Sequence, residues 1–356
     1  MPMKLFTIRS RLADYEVFEG GWDSLCETVD ATTDFLIVDS FIAEHHVDKF
    51  AGLVPENRFI TIKALERNKT VSYAMRLVER IMDVGITKKT RIVSMGGGIV
   101  QDLTGFIASI LYRGLQWHFY PTTLLAQADS CIGAKTSINF KSYKNLIGSF
   151  YNPARVVVIP DVLDSLPEID YLSGLGEIIK LHIIGGGVTT AALASDSDRL
   201  LKKDKEALAR AVIGSLTIKK GYIEEDEFDK GIRNILNYGH CIGHAIESST
   251  RYAVPHGQAV TWGMLLANRQ AEARGYLDSD SRRRVERTLL LPFIQERFQK
   301  MNLDADSVIA GMKRDKKRVA SDLVVVSLAT GGGMIKRDDV KESQIRDLIA
   351  EWNVEK

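Results

Sequence analysis

Along the first 160 residues, short apolar runs recur between polar stretches: 35–38 (Phe-Leu-Ile-Val), 59–62 (Phe-Ile-Thr-Ile), 92–95 (Ile-Val-Ser-Met) and 156–159 (Val-Val-Val-Ile). Each is rich in β-branched residues and bounded by polar, proline or glycine positions, as strands buried on both faces are. Between the second and third runs, Ala74, Leu77, Val78, Ile81 and Met82 fall on one stripe of a helix spanning 71–84. Alternating strand and helix predicts an α/β fold, with a Rossmann-like parallel-sheet domain over residues 1–160. Beyond Pro160 the period lengthens. Helices are predicted over 171–184, 203–225, 237–249, 259–274 and 281–299, with one strand at 323–327 and a terminal helix near 342–352. A mainly α-helical C-terminal domain over 161–356 follows, expected to pack directly on the first around a cleft, since no low-complexity linker separates them.

Composition narrows the class of protein. Of 356 residues, 47 are Lys or Arg and 46 Asp or Glu, so the net charge of +1 gives no footing for nucleic acid or an anionic membrane. No stretch reaches about 18 consecutive apolar residues, and the N-terminus lacks the apolar core of a signal peptide, so a soluble, cytoplasmic chain is expected. Cys26, Cys131 and Cys241 are far apart and form no C-x-x-C pair, which argues against a disulfide framework or a cysteine-held zinc.

The densest chemistry lies at 237–257. His240, His244 and His256 are three of the seven histidines, all within 17 residues. On a helix, His240 and His244 project from one face and suit a metal pair. From spacing alone, an incidental cluster remains open beside metal binding. Glu177 and Lys180 lie three apart among Ile178, Ile179, Leu181 and Ile183, which leaves a surface salt bridge or an inward-drawn pair as alternatives. The turn Gly96-Gly97-Gly98 follows a predicted strand and opens a helix that reaches Asp102, so the backbone there can approach a phosphate, although a tight turn alone needs glycine too. Residues 129–145, rich in Gly, Ser and Asn, are expected to be an irregular loop carrying Lys135 and Lys144. Arg233 and Asn237, four apart, would share a helix face leading toward His240, and Lys316 lies in a charge run that by itself reads as solvated surface.

Seven segments stand in one order between Glu66 and Lys317: Gly-Gly-Gly-x-x-x-Asp102, Pro121-Thr-Thr-Leu-Leu, Asp129 to Lys135, Lys144-Asn145, Glu177-x-x-Lys180, Arg233 to His244, and His256-Gly257. In them the chain resembles the sugar-phosphate cyclase superfamily, most closely the 3-dehydroquinate synthase family. The resemblance implies that Glu177, His240 and His256 hold a divalent metal, zinc or cobalt, with His244 beside the substrate. It implies NAD contacts from Asp39, Glu66, Lys69, Gly97, Gly98, Asp102, Thr122, Thr123 and Lys144, and from the turn Val162 to Ser165. For the sugar-phosphate substrate it implies Lys135, Asn145, Lys316 and Arg113 at the phosphate, with Arg113 reaching there across a homodimer interface. Lys219 and Arg233 are implied at the carboxylate, and Asp129, Lys180, Asn237 and His244 at the ring hydroxyls and proton transfers.

The implied reaction converts 3-deoxy-D-arabino-heptulosonate 7-phosphate to 3-dehydroquinate through oxidation, phosphate elimination, reduction and an intramolecular aldol closure, with NAD recycled. Sister cyclases making 2-epi-5-epi-valiolone or 2-deoxy-scyllo-inosose use substrates without a carboxylate, so the presence of Lys219, Arg233, Asn237 and His244 favours the dehydroquinate branch. Metal-dependent alcohol and glycerol-1-phosphate dehydrogenases share the architecture and are the alternative with net hydride transfer. Ala134, Tyr143, Gln258 and Phe41 depart from the family's usual residues.

Overall fold

A computed structural model describes residues 1–141, 143–314 and 322–355. By backbone contacts the chain forms two compact units, Met1–Leu166 with Lys220–Phe228, and Pro167–Lys219 with the chain from Asp229 onward.

The first unit is an α/β domain. Its strands are β1 (Met3–Ile8), β2 (Tyr15–Glu19), β3 (Asp34–Asp39), β4 (Phe59–Ile62), β5 (Arg91–Gly96), β6 (Trp117–Pro121), β7 (Lys135–Phe140), β8 (Tyr143–Phe150) and β9 (Arg155–Val158). Seven form one sheet in the order β1-β2-β9-β6-β5-β3-β4, all parallel except β1. The helices are α1 (Asp23–Thr28), α2 (Ser40–His45), α3 (Val47–Phe50), α4 (Val71–Asp83) and α5 (Gly98–Ile110). Strands β3, β5 and β6 are buried almost throughout, which is why they read as apolar runs without alternation. Leu36, Val38, Val93, Met95, Tyr120, Val157 and Ile159 form one core together with Ile42 and Phe50.

The chain runs outward from β3 to β4, then returns beside β3 to build β5 and β6 on the other side. That reversal is a topological switch point, where the carboxyl ends of parallel strands leave a crevice for ligands. Asp39 ends β3 and Gly96 ends β5, so both stand there.

Three features differ from expectation here. Part of the loop expected at 129–145 is regular, because β7 and β8 pair as an antiparallel hairpin. Strand β6 had no apolar signature, since His118 interrupts its aromatic run. The segment Lys220–Phe228 groups with this unit through partners more than 200 residues away: Arg9 N donates to Glu224 Oε1 at 2.8 Å, Arg11 N to Glu227 Oε2 at 2.8 Å, and Ser10 Oγ to Glu227 Oε1. Phe228 packs edge-on against Phe150.

The second unit is mainly helical: α6 (Glu168–Ile184), α7 (Gly187–Ser195), α8 (Ser197–Leu201), α9 (Lys205–Glu225, to Lys219 in this unit), α10 (His240–Ser249), α11 (His256–Ala273), α12 (Ser279–Val285), α13 (Glu296–Gln299), α14 (Ala305–Lys313) and α15 (Glu342–Glu355). A hairpin of β10 (Leu323–Leu328) and β11 (Met334–Val340) completes it, so the late strand predicted at 323–327 has a partner. Helix α11 is buried nearly all round and packs against α6, α10 and α15. The helix expected over 281–299 is broken. After α12 comes a π turn over Glu286–Leu290 and a 3-10 turn at Leu291–Phe293, where Pro292 lacks the N–H that would continue an α-helix. The helix expected from 237 starts at His240 instead, because Gly239 is left-handed (φ 76°) and Ile232–Asn237 is a 3-10 segment. Arg233 and Asn237 therefore do not share the α-helical face expected of them.

Among the described residues, no helix is long and apolar enough to cross a membrane. The three cysteines form no disulfide.

Candidate active site

In the second unit the site is set by three helices in backbone contact. A Cβ added at Gly257 would lie 1.7 Å from Ser173 O, and one at Gly263 would lie 2.1 Å from Gly239 O. Only glycine admits α6 and α10 this close to α11. Gly257 N donates to Ser173 Oγ at 2.9 Å, which fixes the start of α11 against α6.

Glu177 on α6, His240 at the start of α10 and His256 at the start of α11 are brought together by that packing. Glu177 is 1% exposed; its Oε1 lies 3.4 Å from His240 Nε2 and 3.2 Å from His256 Nε2, while Oε2 pairs with Lys180. The inward reading of the Glu177 and Lys180 pair is therefore the one the structure adopts. His244 stands one turn along α10, its ring 5.2 Å from that of His240 and 5.6 Å from that of His256. One nitrogen from each of the three histidines lies within 4.8 Å of the others.

Each of two rings has its second nitrogen occupied: Nδ1 of His240 lies 3.3 Å from Tyr238 O, and Nδ1 of His256 lies 3.0 Å from Glu247 Oε2. Burial opposes charge on His256, but Glu177 and Glu247 outweigh it and push the imidazole up to about 10. A cluster of imidazoles between two carboxylates attracts a cation, and nitrogen and oxygen donors at this separation fit zinc or cobalt.

Lys219 on α9 and Arg233 in the 3-10 segment are 8% and 5% exposed, a degree of burial that is rare for cations. Asn237 Nδ2 donates to Asn234 O at 2.8 Å. Lys316 lies outside the described residues.

In the first unit, Gly97 caps α5 in an extended conformation, and a Cβ there would lie 2.9 Å from the Thr123 methyl. Thr122 N donates to Gly96 O at 3.0 Å. Close by runs a polar network. Lys69, 5% exposed, pairs with Asp102 at 2.5 Å and donates to Asn145 Oδ1 at 2.6 Å. Asp102 Oδ1 also accepts from Ser137 N, Glu66 Oε1 accepts from Asn139, and Lys144 lies 3.9 Å from Glu66. Glu66, Lys69, Asp102 and Lys144 are thus brought together, and Asn145 joins them.

Asp39 caps α2 by accepting from Phe41 N, and burial raises its carboxyl above the ordinary value. Ser165 Oγ donates to Val162 O and lies 3.2 Å from His46 Nε2, whereas the Val162 side chain is in the core and leaves only its backbone for a ligand. Asp129 sits in a π turn over Ala126–Ser130, Lys135 is exposed at the start of β7, and Arg113 is exposed in left-handed backbone (φ 65°).

Glu247 was not singled out from sequence. Its only signal is its place seven residues after His240, on the same helical face.

The chain matches the 3-dehydroquinate synthase N-terminal family model over residues 59–173 and the 3-dehydroquinate synthase C-terminal model over 174–318. It is 36% identical over 291 residues to the 3-dehydroquinate synthase of Desulforamulus reducens, covering 82% of this chain and 81% of that protein. In fold it is similar to 2-deoxy-scyllo-inosose synthase, solved with carbaglucose-6-phosphate, NAD+ and Co2+ (TM-score 0.84, 24% identity, 97% of this chain and 99% of that one). It is likewise similar to 2-epi-5-epi-valiolone synthase from Streptomyces hygroscopicus, solved with NAD+ and Zn2+ (TM-score 0.82, 22% identity, 97% and 98%). With both halves of one family matched in order and a third of the residues shared with a relative over four-fifths of the length, the chain belongs to the 3-dehydroquinate synthase family, phosphate-eliminating lyases that close a carbocycle.

Proposed function

We propose that this chain converts 3-deoxy-D-arabino-heptulosonate 7-phosphate to 3-dehydroquinate and inorganic phosphate. The observation that carries the reading is the approach of one buried oxygen, Glu177 Oε1, to the Nε2 atoms of both His240 and His256. In this reading those three residues would hold a divalent zinc or cobalt ion at the substrate side of the site. When bound, the metal supplies Lewis acidity at a substrate hydroxyl and NAD supplies a hydride acceptor that is regenerated within the cycle.

The protein's own groups hold the substrate and move its protons. Lys219 and Arg233 bind the carboxylate, where a guanidinium gives paired, charge-assisted bonds. Lys135, Arg113 and Lys316 bind the phosphate, joined by Asn145. Its Oδ1 is engaged by Lys69 and Ser137, so its Nδ2 is the donor offered. Lys180, Asp129 and Asn237 orient the ring hydroxyls, and His244 stands beside the substrate as a proton carrier. The N-terminus of α5 at Gly97 and Gly98 would receive the dinucleotide phosphates, with Thr122, Thr123 and the turn Val162 to Ser165 beside it, Asp39 at a ribose hydroxyl, and Glu66, Lys69, Asp102 and Lys144 completing the cofactor side. Arg113 would serve a neighbouring subunit's site in a homodimer.

The test is phosphate release from three substrates supplied separately with NAD and zinc or cobalt. Release from the heptulosonate phosphate is expected. Release only from sedoheptulose 7-phosphate or glucose 6-phosphate would overturn the assignment in favour of a sister cyclase.

A further inference from the structure

Helix α10 carries three polar groups on one stripe: His240, His244 one turn later, and Glu247 seven residues after His240. The chain then reverses sharply. Helix α10 ends at Ser249, Arg251 and Tyr252 adopt left-handed backbone (φ 51° and 63°), and Tyr252 N donates to Glu247 O at 2.7 Å. This turn returns the chain so that His256, first in α11, lies across the stripe with Nδ1 3.0 Å from Glu247 Oε2 and Nε2 3.2 Å from Glu177 Oε1. Glu247 is 12% exposed at its side chain, so water weakens that contact little.

We infer that Glu247 is a positioning residue of the metal site: its carboxylate accepts the Nδ1 proton of His256, directs Nε2 at the ion and strengthens this imidazole as a ligand. The inference rests on the metal reading above. His240 is held differently, since its Nδ1 lies 3.3 Å from a neutral acceptor, the Tyr238 carbonyl. A carboxylate is the stronger acceptor and makes its imidazole the more basic donor. Glu247 also couples two helices, because an acceptor on α10 sets the ring angle of a ligand on α11.

The experiment uses the full chain, stripped of metal by a chelator and titrated with zinc against a competing indicator. Glu247→Ala is expected to weaken zinc binding about tenfold to a hundredfold. Glu247→Gln, which keeps the shape and accepts a bond without charge, should fall between Ala and the unsubstituted chain. Cobalt-saturated Glu247→Ala should also show shifted visible absorption bands, a signature that a purely structural role would not move. Equal zinc affinity in all three proteins, with unchanged cobalt bands, would overturn the role of Glu247. Failure of the unsubstituted chain itself to bind one zinc would instead overturn the metal reading beneath it.

Discussion

Glu177 Oε1 lies 3.2 Å from His256 Nε2, although 79 positions separate the two residues, while the other oxygen of the same carboxylate pairs with Lys180. One buried side chain thus serves a helix neighbour and an imidazole on a different helix. The split explains how an acid can be 1% exposed at low cost: each oxygen faces a cation or a potential one.

This geometry separates the roles of the histidines. His240→Ala is expected to lose stoichiometric zinc, and His244→Ala to retain it while losing turnover. Metal content after dialysis, measured by elemental analysis, checks both. Zinc lost from His244→Ala would place all three histidines on the ion, which their mutual spacing also permits.

Removal of a buried cation should be read in substrate binding. Arg233→Ala is expected to cost about 2 kcal/mol or more of interaction with the substrate carboxylate, a loss of at least roughly thirtyfold in kcat/KM. Unchanged steady-state kinetics would remove Arg233 from the pocket.

Close backbone packing gives a third prediction. Gly257→Ala places a methyl 1.7 Å from Ser173 O, so α11 must shift away from α6 and carry His256 with it. A loss of about 3 kcal/mol in unfolding free energy is expected, with weaker zinc binding. A urea midpoint matching that of the unsubstituted protein would show that the helices part without cost.

His118 is expected to make the protein acid-sensitive. On the central strand β6 it is 5% exposed, and burial, helped by Arg91 and Arg155, lowers it from 6.5 to about 3. The unfolded chain therefore binds the proton more readily than the folded one between those values. Stability falls as pH drops from about 6.5 toward 3, by up to about 1.4 kcal/mol per unit from this group. Comparing thermal midpoints at pH 7.5 and 5, His118→Asn should flatten the dependence; an equal drop in both proteins would assign it elsewhere.

Much of this was legible in the sequence, and the exceptions have physical causes. The strands β3, β4, β5 and β9 announce themselves as β-branched runs, and Ile178, Ile179 and Leu181 point to an inward Glu177. Strand β6 does not, because its burial is carried by aromatic residues around a histidine. The hairpin β7–β8 is hidden by its Lys, Ser, Asn and Gly content, which resembles a loop until the two segments pair. Pro292 is visible, yet the apolar spacing over 281–299 outweighs it unless the break is weighed explicitly. Glu247 carries no such signal, because its partner, His256, reaches it only through the left-handed turn at Arg251 and Tyr252. Spacing along one helix reveals a face, whereas contacts between helices depend on turns that local patterns do not specify.

A redox-neutral cyclisation releases phosphate without consuming NAD. Purified protein is incubated with NAD, zinc or cobalt and 3-deoxy-D-arabino-heptulosonate 7-phosphate, with inorganic phosphate and absorbance of reduced nicotinamide followed together. Many turnovers of phosphate release with no net NADH are expected. NADH accumulating in proportion to substrate consumed would contradict it and identify a dehydrogenase built on the same fold.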